Sequence, residues 1–93
     1  MNFRLCEDVA YREYGDFRVY YKTCDVSKKM YSIDGVGNIV LDFISEHQFC
    51  SHHDIFNFIK NKYPGIPFDQ IKNDVTEFLE AMIIISILEG KAL

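Results

Sequence analysis

His47, Cys50, His52 and His53 fall within seven positions, the densest group of nucleophilic and metal-ligating side chains in the chain. Two chemistries suggest themselves. A closed zinc site takes four ligands, usually in paired spacings of two to five residues. The other cysteines, Cys6 and Cys24, lie far upstream in strand-like sequence, and the adjacent His52 and His53 point apart at a helix start. Thiol catalysis by Cys50 needs a paired base and an oxyanion site, and no third orienting group stands near it. Gly35-x-Gly37 is too short for a dinucleotide-binding fingerprint, and the 14 carboxylates are scattered without forming a catalytic pair. The expectation is a protein with no catalytic residue, no cofactor and no metal.

The elements that hold these residues belong to one small domain of 93 residues. At 48% hydrophobic and 15% aromatic, the chain is too apolar for disorder. Its longest apolar run, Ala81 to Leu88, is far shorter than the roughly 18–20 residues of a membrane span. MNFRLCED has no apolar signal-peptide region, and three cysteines without C-x-x-C spacing read as reduced thiols, so a cytoplasmic protein is expected. The net charge is −4, distributed unevenly. Residues 1–33 hold six Lys/Arg against five Asp/Glu, and residues 34–93 hold four against nine. A nucleic-acid binder carries a basic surplus to neutralise phosphates, which is absent here.

Val9 to Tyr14 is β-branched and aromatic, Gly15-Asp16 signals a turn, and Phe17 to Lys22 alternates with period two. Phe17, Val19 and Tyr21 share one face, and Arg18, Tyr20 and Lys22 the other. In a third strand Tyr31 and Ile33 oppose Met30 and Ser32. Asp34 is placed to cap a first helix running from about Gly35 to His47, with Val36, Ile39, Val40, Phe43 and Ile44 at helical spacing. Ser51 and Asp54 form a capping-box signature for a second helix, closed by Pro64-Gly65. Pro67 and Asp69 open a third, striped by Ile71, Val75, Phe78, Leu79 and Met82. Residues 83–88 either extend that helix or form a last strand. The fold expected is α+β and winged helix-turn-helix-like: a three-stranded antiparallel meander followed by three helices.

From Tyr31 to Met82 the sequence resembles the PqqD-like family, the leader-peptide recognition elements of ribosomal peptide modification systems. The resemblance rests on Tyr31-Ser32-Ile33-Asp34, then Val36-Gly37 and Ile39-Val40, then Ile55, Ile59 and Tyr63, and finally Asp74-Val75-Thr76-Glu77-Phe78-Leu79 with Met82 one turn on. Upstream, Val9 to Gly15 is similar to the family's opening arginine-containing strand and turn. Ile84-Ile85-Ser86 departs from the family's common Gly-Leu ending, and Asp34 stands where Asn is usual. The resemblance implies binding rather than catalysis. Such a domain holds the leader of a precursor peptide and presents the core segment to a modifying enzyme, often a radical-SAM enzyme, in other systems a peptidase, cyclase or dehydratase.

The residues themselves are compatible with that role. A meander with no later partner leaves its third strand as an edge, whose unpaired backbone groups an extended peptide can complete. The expected edge comprises Lys28, Lys29, Met30, Tyr31, Ser32 and Ile33. The expected wall is the third helix, with Val75 and Phe78 toward the core, Leu79 and Met82 toward the groove, and Asp74 available to a basic ligand residue. Lys28 and Lys29 offer partners for acidic ones. The rival classes are a winged-helix transcriptional regulator and a protein–protein adaptor. Against the first, the third helix sets Asp69, Asp74, Glu77 and Glu80 against Lys72 alone, so phosphates repel it. Either a monomer or a strand-swapped dimer fits.

Overall fold

The structure is a computed structural model that describes residues 1–24, 29–47 and 49–91. Its meander is formed by β2 (Val9–Tyr14), β3 (Phe17–Lys22) and β4 (Met30–Asp34), following β1 (Asn2–Leu5). The sheet order is β2-β3-β4, antiparallel, with Tyr14 opposite Phe17, Tyr20 opposite Tyr31 and Arg18 opposite Ile33. Gly15, at φ 64°, takes the first position of the two-residue turn, a position that suits glycine because it lacks a Cβ.

The register turns Arg18, Tyr20 and Lys22 of β3 toward the helices, together with Tyr31 and Ile33 of β4. Tyr20 is buried, while the flanking cations send their heads to Asp42 and Asp8. The outer face carries Tyr14, Phe17 and Met30, all exposed.

Three helices follow: α1 (Val36–Glu46), α2 (His52–Lys62) and α3 (Phe68–Ile84). The α1 N-cap is Gly35, at φ 55° and with no side-chain cap; Asp34 instead ends β4, which corrects the expected cap. Ser51 caps α2 as anticipated, with its side chain accepting from the Asp54 N–H and the Asp54 carboxylate accepting from the Ser51 N–H, both at 3.1 Å. Among the described residues no helix is long and apolar enough to cross a membrane.

A second sheet was not anticipated. Its order is β5-β1-β6, with β5 (Cys50–Ser51) and β6 (Leu88–Lys91) on either side of β1. Phe3 pairs with Cys50 on one side and Gly90 on the other, and its ring is buried. Residues 83–88 are divided between elements: the helix runs to Ile84 and the strand begins at Leu88. The reversal between them is a Schellman ending. Ser86 sits at φ 63°, the Ser86 N–H bonds the Ile83 carbonyl at 3.0 Å, and the Ile87 N–H bonds the Met82 carbonyl at 2.9 Å. Ser86 therefore adopts the left-handed conformation that glycine normally supplies.

Candidate peptide-binding groove

Among the described residues β4 has one paired neighbour, β3, so its far edge is open. Lys29 and Met30 are exposed, Tyr31 is half-buried and Ile33 is buried toward α1 and α3. Lys28 lies outside the described residues. The open edge ends at Ile33, whose carbonyl accepts a 2.8 Å hydrogen bond from Asn38 Nδ2 on α1. The other amide atom, Asn38 Oδ1, is buried and has no partner among the described residues. Nothing in the sequence singled Asn38 out; its signal is a polar residue one turn before Asp42, at the margin of an apolar helix stripe.

Gly37 explains how closely α3 approaches. A β-carbon at Gly37 would lie 2.9 Å from both Ile33 Cγ2 and Phe78 Cε1, so only glycine lets the three elements close up here. At the other end of β4, a cleft of about 430 Å³ opens between the meander and the end of α3. Tyr31, Ile84 and Ile85 form its apolar lining, and Asp8, Lys22, Lys29 and Ser86 its polar rim. Lys22 is engaged by the Asp8 carboxylate at 3.1 Å and by the Ser86 carbonyl at 3.1 Å. Lys29 has no ion pair among the described residues.

The expected division of α3 into core and groove is corrected. Leu79 is 1% exposed and Met82 7%, both inside the core beside Val75 at 5%. Phe78 is only half-buried, and Asp74 is exposed. The cause is the unanticipated second sheet, since Phe3 of β1 lines the same cleft as Leu79 and closes that side of α3. Ile84, at 81% exposure, and Ile85 hold places on the groove side that sequence reading gave to Leu79 and Met82.

The meander is clamped to α1 by Arg18. Its guanidinium donates to both Asp42 oxygens, at 2.6 and 3.0 Å, and to the Tyr20 hydroxyl at 3.2 Å, while it lies 4.5 Å from the Tyr11 ring centroid. These bonds raise the Arg18 pKa above its ordinary value, the Asp42 bond being the largest cause. Burial raises the Tyr20 pKa in turn.

Of the Cys/His cluster, Cys50 and His52 pack inward, while His47 and His53 are exposed. Cys50 is buried, its thiol donates to the His47 carbonyl at 2.6 Å, and burial raises its pKa, away from the reactive thiolate. His47 lies against Phe43, with ring centroids 4.4 Å apart, and His52 stands edge-on to Phe3 at 4.7 Å. Among the described residues no three His, Cys, Asp or Glu side chains are grouped to hold a metal ion.

An antiparallel meander with an open edge, resting on the first of three helices, defines a small winged-helix-like α+β domain. The chain belongs to the family described as coenzyme PQQ synthesis protein D (PqqD), whose family model matches residues 19–84, from β3 to the end of α3. Its fold is similar to that of a solved structure titled "TbiB1 in Complex with the TbiA(beta) Leader Peptide", at a TM-score of 0.78 and 20% identity over 97% of this chain and 99% of that one. No curated protein sequence matches the chain.

Proposed function

We propose that this protein is a non-catalytic, cytoplasmic peptide chaperone. It captures the leader of a ribosomally made precursor as a further strand on β4, against α3, and presents the precursor to a modifying enzyme. The observation that carries this reading is the open β4 edge beside a cleft lined by Tyr31, Ile84 and Ile85 and rimmed by charged groups, in a fold shared with a protein solved in complex with a leader peptide. Strand addition draws affinity from main-chain hydrogen bonds and selectivity from alternate side chains. Here Tyr31, Phe78, Ile84 and Ile85 would receive the ligand's inward side chains, while Val75, Leu79 and Met82 support the wall from within.

The test is a titration of the labelled protein with the leader peptide of the precursor encoded beside it, followed by NMR. Shift changes are expected on Lys29 to Ile33 and on Phe78, Ile84 and Ile85; their absence there would refute the reading. Two substitutions separate wall from support. Ile84→Ser removes an exposed side chain, so stability should stay within about 0.5 kcal/mol while peptide affinity falls several-fold. Leu79→Ala empties a core position and should cost about 2–5 kcal/mol.

A further inference from the structure

The two ends of the groove carry opposite charge. β4 and α3 run in opposite directions: Ile33 and Phe78 both close on Gly37, while Tyr31, earlier in β4, shares a cleft with Ile84 and Ile85, later in α3. At the Phe78 end, Asp74 stands one turn earlier on the same face, with Glu77 beside it. Both are exposed and without ion pairs among the described residues. Cations on the neighbouring elements are engaged elsewhere, Arg18 by Asp42 and Lys72 over the Phe68 ring. At the Ile85 end, Lys22 pairs with Asp8, which leaves Lys29 as the cleft's charge with no ion pair among the described residues. Apolar side chains lie between the two ends.

We propose that this groove selects its peptide by charge order: a basic residue toward the peptide's N-terminus, an apolar centre, and an acidic residue toward its C-terminus. The inference rests on the strand-addition reading above. A strand added antiparallel to β4 continues the antiparallel sheet, the more stable pairing per residue, and it runs from the Asp74 end to the Lys29 end. The spacing follows from the helix. Asp74 and Ile85 are eleven residues apart, a rise of about 16 Å at 1.5 Å per residue. A strand covers that length in about five residues, so the two charges belong about five positions apart. Charge complementarity of this kind orients a ligand and excludes the wrong register more than it adds affinity.

The experiment uses three synthetic eight-residue peptides that share one Thr-Leu-Thr-Leu centre, which sets the inner charged residues five positions apart. The first has two Lys at its N-terminal end and two Glu at its C-terminal end, the second has these reversed, and the third has Ser at both ends. The first two have identical composition and net charge, so the protein's overall −4 acts equally on both. The first should bind roughly tenfold more tightly than the second at low salt, given the modest worth of exposed ion pairs, and the difference should shrink in high salt. The Lys29→Glu/Asp74→Lys/Glu77→Lys variant, changed only at exposed positions, should reverse the preference between the two charged peptides and keep the wild-type circular dichroism spectrum. Equal affinity of both charged peptides, with NMR shifts on β4 and α3, would overturn the charge order and leave strand addition standing. If no peptide shifts β4 or α3, strand addition and the charge order both fall.

Discussion

Replacing Gly37 by alanine pushes on the groove from behind. Gly37 lies where α1, β4 and α3 meet, and a methyl group there would stand 2.9 Å from Ile33 Cγ2, 2.9 Å from Phe78 Cε1 and 3.3 Å from Phe78 Cζ. Carbon atoms pack best at about 3.5–4.0 Å, so the closest contacts fall short by roughly 0.6–1.1 Å. Ile33 is hemmed into the core and cannot retreat; half-buried Phe78 can, outward into the groove. Overpacking of this size costs about 1–3 kcal/mol, and alanine in place of helical glycine returns about 0.5–1 kcal/mol. The net loss, about 1 kcal/mol at mid-range, should lower the melting temperature by roughly 4–8 °C in a domain this small. Thermal unfolding followed by circular dichroism measures it, beside Gly65→Ala, where a β-carbon meets nothing within 4 Å and little change is expected. Gly37→Ala combined with Phe78→Leu should recover most of the loss, because the shorter side chain vacates the contested space. Peptide affinity should fall in the single variant, whose displaced ring intrudes on the ligand's path. A Gly37→Ala protein that melts at or above the wild-type temperature would show that the three elements are not in limiting contact, and the packing argument would fail.

Three other perturbations read separate parts of the structure. Ser86→Gly removes a side chain from a left-handed position that costs an L-residue about 1–2 kcal/mol, so the melting temperature should rise by several degrees; a fall would mean that the serine side chain stabilises the turn. Arg18→Lys exchanges a two-pronged clamp on Asp42 for a point charge. With Asp42 nearly half exposed, solvent screening limits the loss to about 0.5–1 kcal/mol, and an unchanged urea midpoint would remove the clamp from the stability of the fold. His52 has its pKa lowered below 6.5, first by burial. The unfolded chain therefore takes up a proton before the folded one does as pH falls, so stability is full above about pH 6.5 and declines below it. His52→Gln should flatten that decline in denaturant titrations across this range, and an equal decline in both proteins would assign it to other groups.

The meander and the three helices were legible because each carries a local signal that its tertiary setting does not oppose. Period-two alternation marks β3, Ser51 and Asp54 mark the start of α2, and Pro64-Gly65 its end. The second sheet left almost no such signal. β5 is two residues long, and β6 reads Leu-Glu-Gly-Lys, a poor strand sequence by composition. Each is a strand because β1 lies beside it, and pairing between residues 2–5 and 88–91 is invisible to any local window. The outward face of β3 was also open to misreading. Phe17, Val19 and Tyr21 are its more apolar set, yet Tyr20 is the buried residue, because the flanking Arg18 and Lys22 find carboxylates at Asp42 and Asp8.

The misassigned half of α3 follows from the same omission. Successive helix residues are rotated by about 100°, so Phe78 and Leu79 can share an apolar stripe and still face different neighbours. With only the meander to cover the helix, Leu79 and Met82 were free to face a ligand. Once β1 and β6 close on that flank, the direction of the core turns toward Leu79, and the side left to the groove is the one through Asp74, Phe78 and Ile85. The stripe's composition is indifferent to this choice; the second sheet decides it. The same sheet receives the chain after Ser86 and thereby sets where α3 stops. Had the helix continued through residues 85–88, Ile85 would be one more turn-facing residue and no reversal would bring the Ser86 carbonyl to Lys22. The Ile84–Ser86 corner of the proposed groove is thus built by strands that do not line it, and substitutions in β1 or β6 should weaken peptide binding through the end of α3 rather than through β4.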